Sequence, residues 1–251
     1  MSDPATVFFV ILMPWGRVGS NLVSTTLNRT RGVTVNNEPT TRIRTEGHRD
    51  GLSLADMAAQ QTAQLDAFVE THRGVTAVAG LKLSHRSLVE PKPYLLRIRE
   101  YGFRPVIMTR RNHLKTAVSQ LRAQDRANQA ATEWKSPWAV RTEEPKPGPT
   151  AIDIEEAIRL TALFAKMEKS LERSIKAVFN GTGLRIEYAE LAADPAATMV
   201  AIFDYLDLAV PHSFDLTYRK ATSDTLSDDI CNFTDFKKAA VAAGYSHFLE
   251  P

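Results

Sequence analysis

The chain has 251 residues, of which 43% are hydrophobic and 24% are charged, and its formal net charge is +2. This composition is typical of a globular protein with a sizeable core, and the charge is too small to indicate a nucleic-acid partner. A single cysteine, Cys231, excludes an internal disulfide and a cysteine-built metal site, and we expect it to be a partly buried thiol.

No apolar run of the sequence approaches the length of a membrane span. The first apolar segment has only Asp3 as a charged residue before it, so it lacks the basic region of a signal peptide. These features favour a cytoplasmic protein with one domain over residues 1–251. They leave open whether the chain forms a homo-oligomer.

An apolar strand and a glycine turn open the chain. Residues 7–13 are an uninterrupted apolar run, which predicts a strand buried on both faces. The turn Pro-Trp-Gly-Arg-Val-Gly follows, and Ser20 and Asn21 then begin a helix-like run. The N–H groups and positive dipole of such a helix start favour an anion, and Arg17 adds a guanidinium suited to phosphate or sulfate oxygens. The spacing differs from the common nucleotide loop, Gly-x4-Gly-Lys-Ser/Thr, and an ordinary turn is the alternative.

The rest of the chain alternates strands with helices. Short apolar runs predict further strands over 33–36, 75–83, 104–109 and 184–187. Caps, glycine stops and apolar periodicity predict helices over about 53–73, 94–101, 113–130, 153–178, 194–206 and 235–243. Two segments lack these signals: a polar loop over 36–51 and an irregular insert or lid over about 131–151.

This alternation indicates an α/β fold, in which strands form a parallel sheet with right-handed crossovers. Ligands of such sheets bind beyond the carboxyl ends of the strands. The glycine turn, the polar loop and the pair Arg110-Arg111 all follow strand ends. We therefore expect a functional site at this edge of the sheet.

A second basic motif, Thr109 to Ser119, follows the fourth strand with the sequence TRRNHLKTAVS. Asn112 can cap the helix that begins there. The long side chain of Arg111 can then share an anion with the hydroxyl of Ser119. A solvated pair of surface arginines is the alternative.

Taken together, these motifs resemble those of the sulfotransferases that use 3′-phosphoadenosine 5′-phosphosulfate (PAPS). The turn PWGRVGSNL is similar to the 5′-phosphosulfate loop of that family. RRNHLKTAVS is similar to its 3′-phosphate motif, in which an Arg precedes a Ser by eight residues, as Arg111 precedes Ser119. The segment LRIEYAELAADP has Tyr188 where a tyrosine of the family meets the adenine. Val18 and Asn21 depart from the small hydroxyl residues that are usual in the loop.

The resemblance implies a three-layer α/β fold with a central, mainly parallel sheet of about five strands and a P-loop-NTPase-like topology. It also implies PAPS as the donor, no metal, and a glycan or small metabolite as the acceptor. The donor-binding residues that it implies are Arg17, Val18, Gly19, Ser20, Asn21, Arg111, Ser119, Tyr188, Arg219 and Lys220.

Transfer to an alcohol requires stabilisation of the leaving phosphate and a general base. Arg17 and the loop N–H groups would stabilise the leaving group. Glu38 is the favoured base, because several carbohydrate-sulfating relatives have a glutamate after the second strand. His85 competes with it, because small-molecule sulfotransferases carry Lys-x-His at the end of the third strand. The spacing here, Lys82-x-x-His85, is one residue longer.

The acceptor site is less well defined by the sequence. Tryptophan faces stack on sugars or aromatic rings, and cations could hold an acidic acceptor. The candidate residues are Arg42, Arg44, His48, Arg49, Trp134 and Trp138. The same residues could instead serve packing. Two other functions stay open. A kinase-like, nucleotide-dependent phosphotransferase would show magnesium dependence, and a non-catalytic nucleotide-binding protein would bind the donor without turnover.

Overall fold

The computed structural model of the chain describes residues 6–129, 140–216, 218–219, 222–223 and 225–249. Its strands are β1 (Val7–Met13), β2 (Val33–Asn37), β3 (Val78–Ser84), β4 (Arg104–Thr109), β5 (Val140–Arg141), β6 (Leu184–Glu187) and β7 (Tyr218–Arg219). Its α-helices are α1 (Ser20–Asn28), α2 (Pro39–Arg49), α3 (Leu54–His72), α4 (Pro91–Glu100), α5 (His113–Gln129), α6 (Ile154–Phe179), α7 (Tyr188–Ala193), α8 (Pro195–Tyr205) and α9 (Phe233–Ala242).

The chain is organised as two compact units. We call the first the sheet unit, which comprises Met1–Thr109 and Met167–Asp215. The second unit comprises Arg110–Lys166 and Leu216–Pro251. The single-domain organisation expected from the sequence stays a prediction.

A five-stranded parallel sheet forms the centre of the sheet unit, in the order β2-β3-β1-β4-β6. The predicted α/β fold with a central parallel sheet is therefore confirmed. The apolar run of β1 pairs on both sides, and its residues 8–13 are at most 6% exposed. Because all five strands run in the same direction, their carboxyl ends meet at one edge of the sheet.

Helices α3, α4 and the second half of α6 cover one face of the sheet. The face is apolar because alternate residues of β1 and β3 point to it, and Phe8 stacks on Phe103 with their ring centroids 5.1 Å apart. Gly80 of β3 lies beside Phe9 in the strand register, and a Cβ atom at Gly80 would lie 2.2 Å from the Phe9 ring. This close approach requires glycine at residue 80.

Capping residues begin several helices where the sequence predicts. Ser53 Oγ accepts a hydrogen bond from Asp56 N at 3.1 Å before α3. Asp153 Oδ1 accepts from Glu156 N at 3.0 Å before α6, and Asp194 Oδ1 accepts from Ala197 N at 2.9 Å before α8. These contacts satisfy N–H groups that a helix start leaves without a partner.

The prediction of a polar loop over 36–51 is wrong, because most of this segment forms helix α2. Pro39 occupies the first turn, where a missing N–H costs nothing. Ile43 is the only large aliphatic side chain of α2, so the sequence lacks an apolar stripe. The helix is instead held by close packing: a Cβ atom at Gly47 would lie 2.6 Å from Met57 of α3, and Gln61 Nε2 donates to the Thr40 carbonyl at 3.1 Å.

The second unit is held by polar contacts around Arg122, which is 1% exposed. Its guanidinium pairs with Asp229 and donates to the carbonyls of Pro147 and Gly148 at 3.0 and 2.7 Å. Strands β5 and β7 pair antiparallel in this unit. Of the predicted insert or lid, residues 131–139 lie outside the described residues, and 140–151 hold β5 and irregular backbone.

Cys231 is exposed, and the prediction of a partly buried thiol is wrong. It lies between the bridge residue Ile230 and the start of α9, where the backbone turns. No helix in the described part of the chain is long and apolar enough to cross a membrane.

Candidate active site

The glycine turn after β1 forms a loop that opens helix α1. Gly19 is the N-cap residue with φ 81°, and its carbonyl accepts a hydrogen bond from Leu22 N at 3.0 Å. A Cβ atom at Gly19 would lie 2.4 Å from Leu191 Cδ2, so both the backbone conformation and the packing require glycine. The first N–H groups of α1 point back along the helix axis into this loop, where they favour an anion.

Two side chains of the loop turn away from any ligand that the loop would hold. Val18 is 3% exposed. Ser20 is 5% exposed, and its Oγ lies 3.1 Å from Met13 Sδ. At these two positions the backbone N–H groups are therefore the groups that can contact an anion.

A buried ammonium connects the loop to the second strand end. Lys82 of β3 has a side chain that is 4% exposed. Its Nζ donates to Asn21 Oδ1 at 2.6 Å and lies 3.1 Å from Glu38 Oε1. A lysine buried to this degree needs such partners. The carboxylate of Glu38 is thereby held next to the start of α1.

Arg17 and Glu38 share an uncommon backbone conformation. Among the described residues, four that are not glycine have positive φ: Arg17 (67°), Glu38 (51°), Asn180 (54°) and Asp207 (56°). Asn and Asp adopt this region readily, whereas for Arg and Glu it costs about 1–2 kcal/mol. Strained residues of this kind cluster at functional sites.

Helix α2 forms one wall of a cavity of about 350 Å³ beside Glu38. The residues of α2 that line it follow the spacing i, i+3, i+4, i+7 of one helix face: Thr41, Arg44, Thr45 and His48. The opposite wall includes Trp15 and Arg86, and the Arg86 guanidinium lies 3.6 Å above the centroid of the indole ring. Such stacking is a cation–π contact.

Buried hydrogen bonds fix the floor of this cavity. Thr40 Oγ1 and Ser87 Oγ lie 2.6 Å apart, and Ser87 Oγ donates to the Ser84 carbonyl at 2.7 Å. Gln61 of α3 donates to the carbonyls of Thr40 and Ser87. Because these side chains join α2, α3 and the end of β3, they hold the cavity walls in a defined geometry.

Glu38 and His85, the two candidate bases, lie in different environments. Glu38 lines the cavity; its Oε2 accepts from Thr41 Oγ1 at a long 3.3 Å. His85 is 5% exposed, lies outside the cavity lining, and has its Nε2 2.9 Å from Ser174 Oγ. Burial lowers the pKa of the His85 imidazole below its usual value.

The second basic motif belongs to the second unit. Asn112 caps α5, because its Oδ1 accepts from Lys115 N at 2.9 Å. Arg111 is exposed, whereas Arg110 and Ser119 are 5% and 4% exposed. Burial, and then the charge of Arg110, lower the pKa of Lys115. Two basic side chains, Arg110 and Lys115, therefore lie together at the start of this helix.

Three predicted donor-binding residues, Tyr188, Arg219 and Lys220, lie later in the chain. Tyr188 begins α7 directly after β6, and its Cδ2 lies 3.4 Å from the position of a Cβ atom at Gly19, so its ring packs against the loop. The backbone of Arg219 lies in β7 and pairs with Val140. Lys220, Trp134 and Trp138 lie outside the described residues.

Sequence reasoning missed the bridging role of Lys82 and the contribution of α2. A sequence signal for this helix face exists in the spacing of Thr41, Arg44, Thr45 and His48. Polar residues, like apolar ones, can recur with the helical period of 3.6. The stacking of Arg86 on Trp15 has no sequence signal, since the two residues follow different strands.

No family model and no curated protein sequence matches the chain. Among solved structures, a sulfotransferase from Alicyclobacillus acidocaldarius aligns with a TM-score of 0.50 and 14% identity, over 95% of this chain and 91% of that chain. The chain therefore shares the fold of that protein.

Two further structures align with lower TM-scores. The sulfotransferase domain from the curacin biosynthetic pathway gives 0.45 at 12% identity, over 82% of this chain and 76% of that chain. The sulfotransferase domain from the Synechococcus PCC 7002 olefin synthase gives 0.43 at 15% identity, over 97% and 88%.

Proposed function

We propose that this chain is a sulfotransferase that moves the sulfuryl group of PAPS to a hydroxyl group of a glycan or small metabolite. The observation that carries the proposal is the position of the Lys82 ammonium, 2.6 Å from Asn21 of the anion loop and 3.1 Å from Glu38. A group that receives a proton is thereby held beside a loop suited to an anion. The shared fold with a known sulfotransferase supports the same proposal.

In the proposed reaction, the acceptor hydroxyl gives its proton to Glu38 Oε2 while its oxygen forms a bond to sulfur. The bond between sulfur and the leaving phosphate oxygen breaks, and its electron pair stays on the phosphate. The weak bond from Thr41 to Oε2 can be exchanged for the acceptor hydroxyl, while Lys82 continues to hold Oε1. We assign the base to Glu38 because it lines the cavity and His85 does not.

Charge on the leaving phosphate is offset by the backbone N–H groups of the loop and by Arg17. The left-handed conformation of Arg17 fixes where its side chain leaves the loop. We propose that Arg111 and Ser119 bind the 3′-phosphate of the donor and that Tyr188 contacts its adenine. The support for these roles is the motif spacing and the two basic residues, Arg110 and Lys115, at the start of α5.

Nucleotide selectivity tests this proposal. We expect calorimetry to show that 3′-phosphoadenosine 5′-phosphate binds at least tenfold more tightly than AMP, or than ATP with magnesium. Arg111→Ala should reduce the affinity for the 3′-phosphorylated nucleotide about tenfold and leave the affinity for AMP unchanged, because only the 3′-phosphate loses its partner.

Two other outcomes of these binding and transfer measurements would assign a different function. Preference for ATP with magnesium would replace the sulfotransferase with a phosphotransferase. Tight binding of the 3′-phosphorylated nucleotide, without transfer of labelled sulfonate to any acceptor pool, would indicate a non-catalytic nucleotide-binding protein.

A further inference from the structure

The charge of the cavity beside Glu38 indicates the charge of its ligand. Of the nine described residues that line the cavity, only Glu38 bears a carboxylate, and that carboxylate is already paired with Lys82. Arg44 and Arg86 contribute two guanidinium groups to the lining, and a guanidinium is always charged. The described lining therefore carries two guanidinium groups and one carboxylate, and that carboxylate is already paired.

Arg44 is the best-placed of these cations. Its Nη1 donates to the Arg86 carbonyl at 2.5 Å, which orients the guanidinium, and its side chain is half-buried. In the part of the chain that the structure describes, no carboxylate forms an ion pair with Arg44. A guanidinium has five N–H donors in a planar fork, so most of the hydrogen-bonding capacity of Arg44 stays available to a carboxylate, sulfate or phosphate group.

The distance from Arg44 to the proposed base limits the size of the ligand. Arg44 follows Glu38 by less than two turns of α2, which is about 9 Å along the helix axis. A cavity of about 350 Å³ is at the small end of the range for ligand pockets. The indole ring of Trp15 offers a flat surface on which the body of a small ring can lie.

From these observations we infer that the acceptor is a negatively charged alcohol about as large as one sugar unit, such as a sugar acid or a sugar ester of sulfate or phosphate. Arg44 binds the anionic group, and the acceptor hydroxyl lies at Glu38. This inference rests on the proposed function, because it names the acceptor class of that reaction. It explains why α2 carries an arginine on its cavity face, where a neutral acceptor would need none.

Paired ligands that differ in charge test the inference. Methyl β-D-glucuronoside and methyl β-D-glucoside differ only at C6, which is a carboxylate in the first and a hydroxymethyl group in the second. Glucose 6-sulfate and glucose 6-phosphate probe the two ester classes. In calorimetry with saturating 3′-phosphoadenosine 5′-phosphate, we expect at least one anionic sugar to bind ten times or more tighter than the neutral glucoside. Equal affinities, or no binding by any of the three anions, would overturn the inference.

Variants of α2 test whether Arg44 is the residue that causes the preference for an anionic sugar. Arg44→Met should reduce the preference for the anion to threefold or less, and Arg44→Lys should retain part of it because the positive charge is kept. The matched control is Arg42→Met, which removes an exposed arginine of the same helix that does not line the cavity. Thermal unfolding of each variant establishes that the protein is still folded. An undiminished preference in Arg44→Met would contradict the assignment.

Nucleotide binding separates this inference from the proposed function. If Arg44→Met keeps wild-type affinity for 3′-phosphoadenosine 5′-phosphate and the wild-type protein prefers the anionic sugar, both hold. Nucleotide binding without a preference for the anion would refute only the acceptor class. A preference for the anion in a protein that does not bind the nucleotide would refute the sulfotransferase and leave an anion-binding cavity.

Discussion

At the scale of single residues, the proposed chemistry depends on side chains that are held in unfavourable surroundings. Lys82 is buried with its charge, and Glu38 has a left-handed backbone just before a proline. The contact with Glu38 offsets the cost of burying the charge of Lys82. Residues in such states have fixed positions, and a general base benefits from that because its reach is set by hydrogen-bond distance.

Removal of the carboxylate of Glu38 tests its role. Glu38→Gln keeps the size and shape of the side chain but cannot accept a proton, so turnover should fall about 10²–10⁴-fold. The affinity for 3′-phosphoadenosine 5′-phosphate should stay within twofold of wild type. Glu46→Gln is the control, because Glu46 is an exposed residue of the same helix outside the cavity. Wild-type turnover in Glu38→Gln would remove Glu38 as the base.

At the scale of structural elements, the loop between β1 and α1 depends on α7. Leu191 and Tyr188 of α7 fill the space beside Gly19, so the short helix after β6 supports the loop after β1. The two elements are far apart in the sequence and adjacent at one edge of the sheet. The conformation of the loop is therefore a property of both strand ends.

Two glycine substitutions in this loop should differ in effect. Gly19→Ala forces a left-handed alanine and brings its Cβ into Leu191, so we expect a loss of at least about 1–2 kcal/mol of stability and weaker nucleotide binding. Gly16→Ala is the matched control, because no atom lies within 4 Å of a Cβ there, and its effect should stay within about 0.5 kcal/mol. Urea denaturation and calorimetry measure both quantities. Equal effects of the two substitutions would contradict the role of α7.

Elements with strong local signals could be predicted from the sequence. The apolar run of β1, the caps Ser53, Asp153 and Asp194 and the glycine loop all depend on neighbours within a few residues. Helix α2 could not be predicted in this way, because its stability comes from contacts of Thr40 and Gly47 with α3. The sequence analysis does not predict helix α7 either, which has only six residues and begins with a capping box of Glu187 and Glu190.

The functional site was predictable in part for the same reason. Arg17 and Glu38 follow strand ends, and parallel strands bring such residues to one edge. The contacts of Lys82 join atoms from three separate segments, and no local pattern specifies them. The surroundings of His85 depend on Ser174, which lies 89 residues away in the chain. Only the folded chain distinguishes the buried histidine from the glutamate in the cavity.

At the scale of the whole molecule, the buried His85 and the partly buried His72 make stability depend on pH. Burial lowers the pKa values of His85 and His72 in the folded state, whereas an unfolded histidine titrates near about 6.5. Below that pH the unfolded chain binds more protons than the folded chain, so stability decreases as the pH falls from about 6.5 through the lowered values. The stabilisation is complete above the unfolded pKa.

Replacement of His85 should reduce this acid sensitivity. The free energy of unfolding, measured with urea at pH 8.0, 6.5 and 5.0, should fall less on acidification in His85→Asn than in the wild-type protein. His85→Asn combined with His72→Asn should fall less again. If both variants lose as much stability as the wild-type protein between pH 8.0 and 5.0, other groups cause the dependence.

The position of β1 at the centre of the sheet has a consequence for biosynthesis. Its neighbours are made much later, because Val7 pairs with Val78 and Phe9 pairs with Arg104. At about 5–20 residues per second, the roughly 70 residues from β1 to β3 take about 4–14 s to translate. During this time a fully apolar strand leaves the ribosome without a partner and is a target for chaperones. Slow codons between β1 and β3 should therefore increase aggregation, whereas a pause after β4 gives the three central strands time to pair.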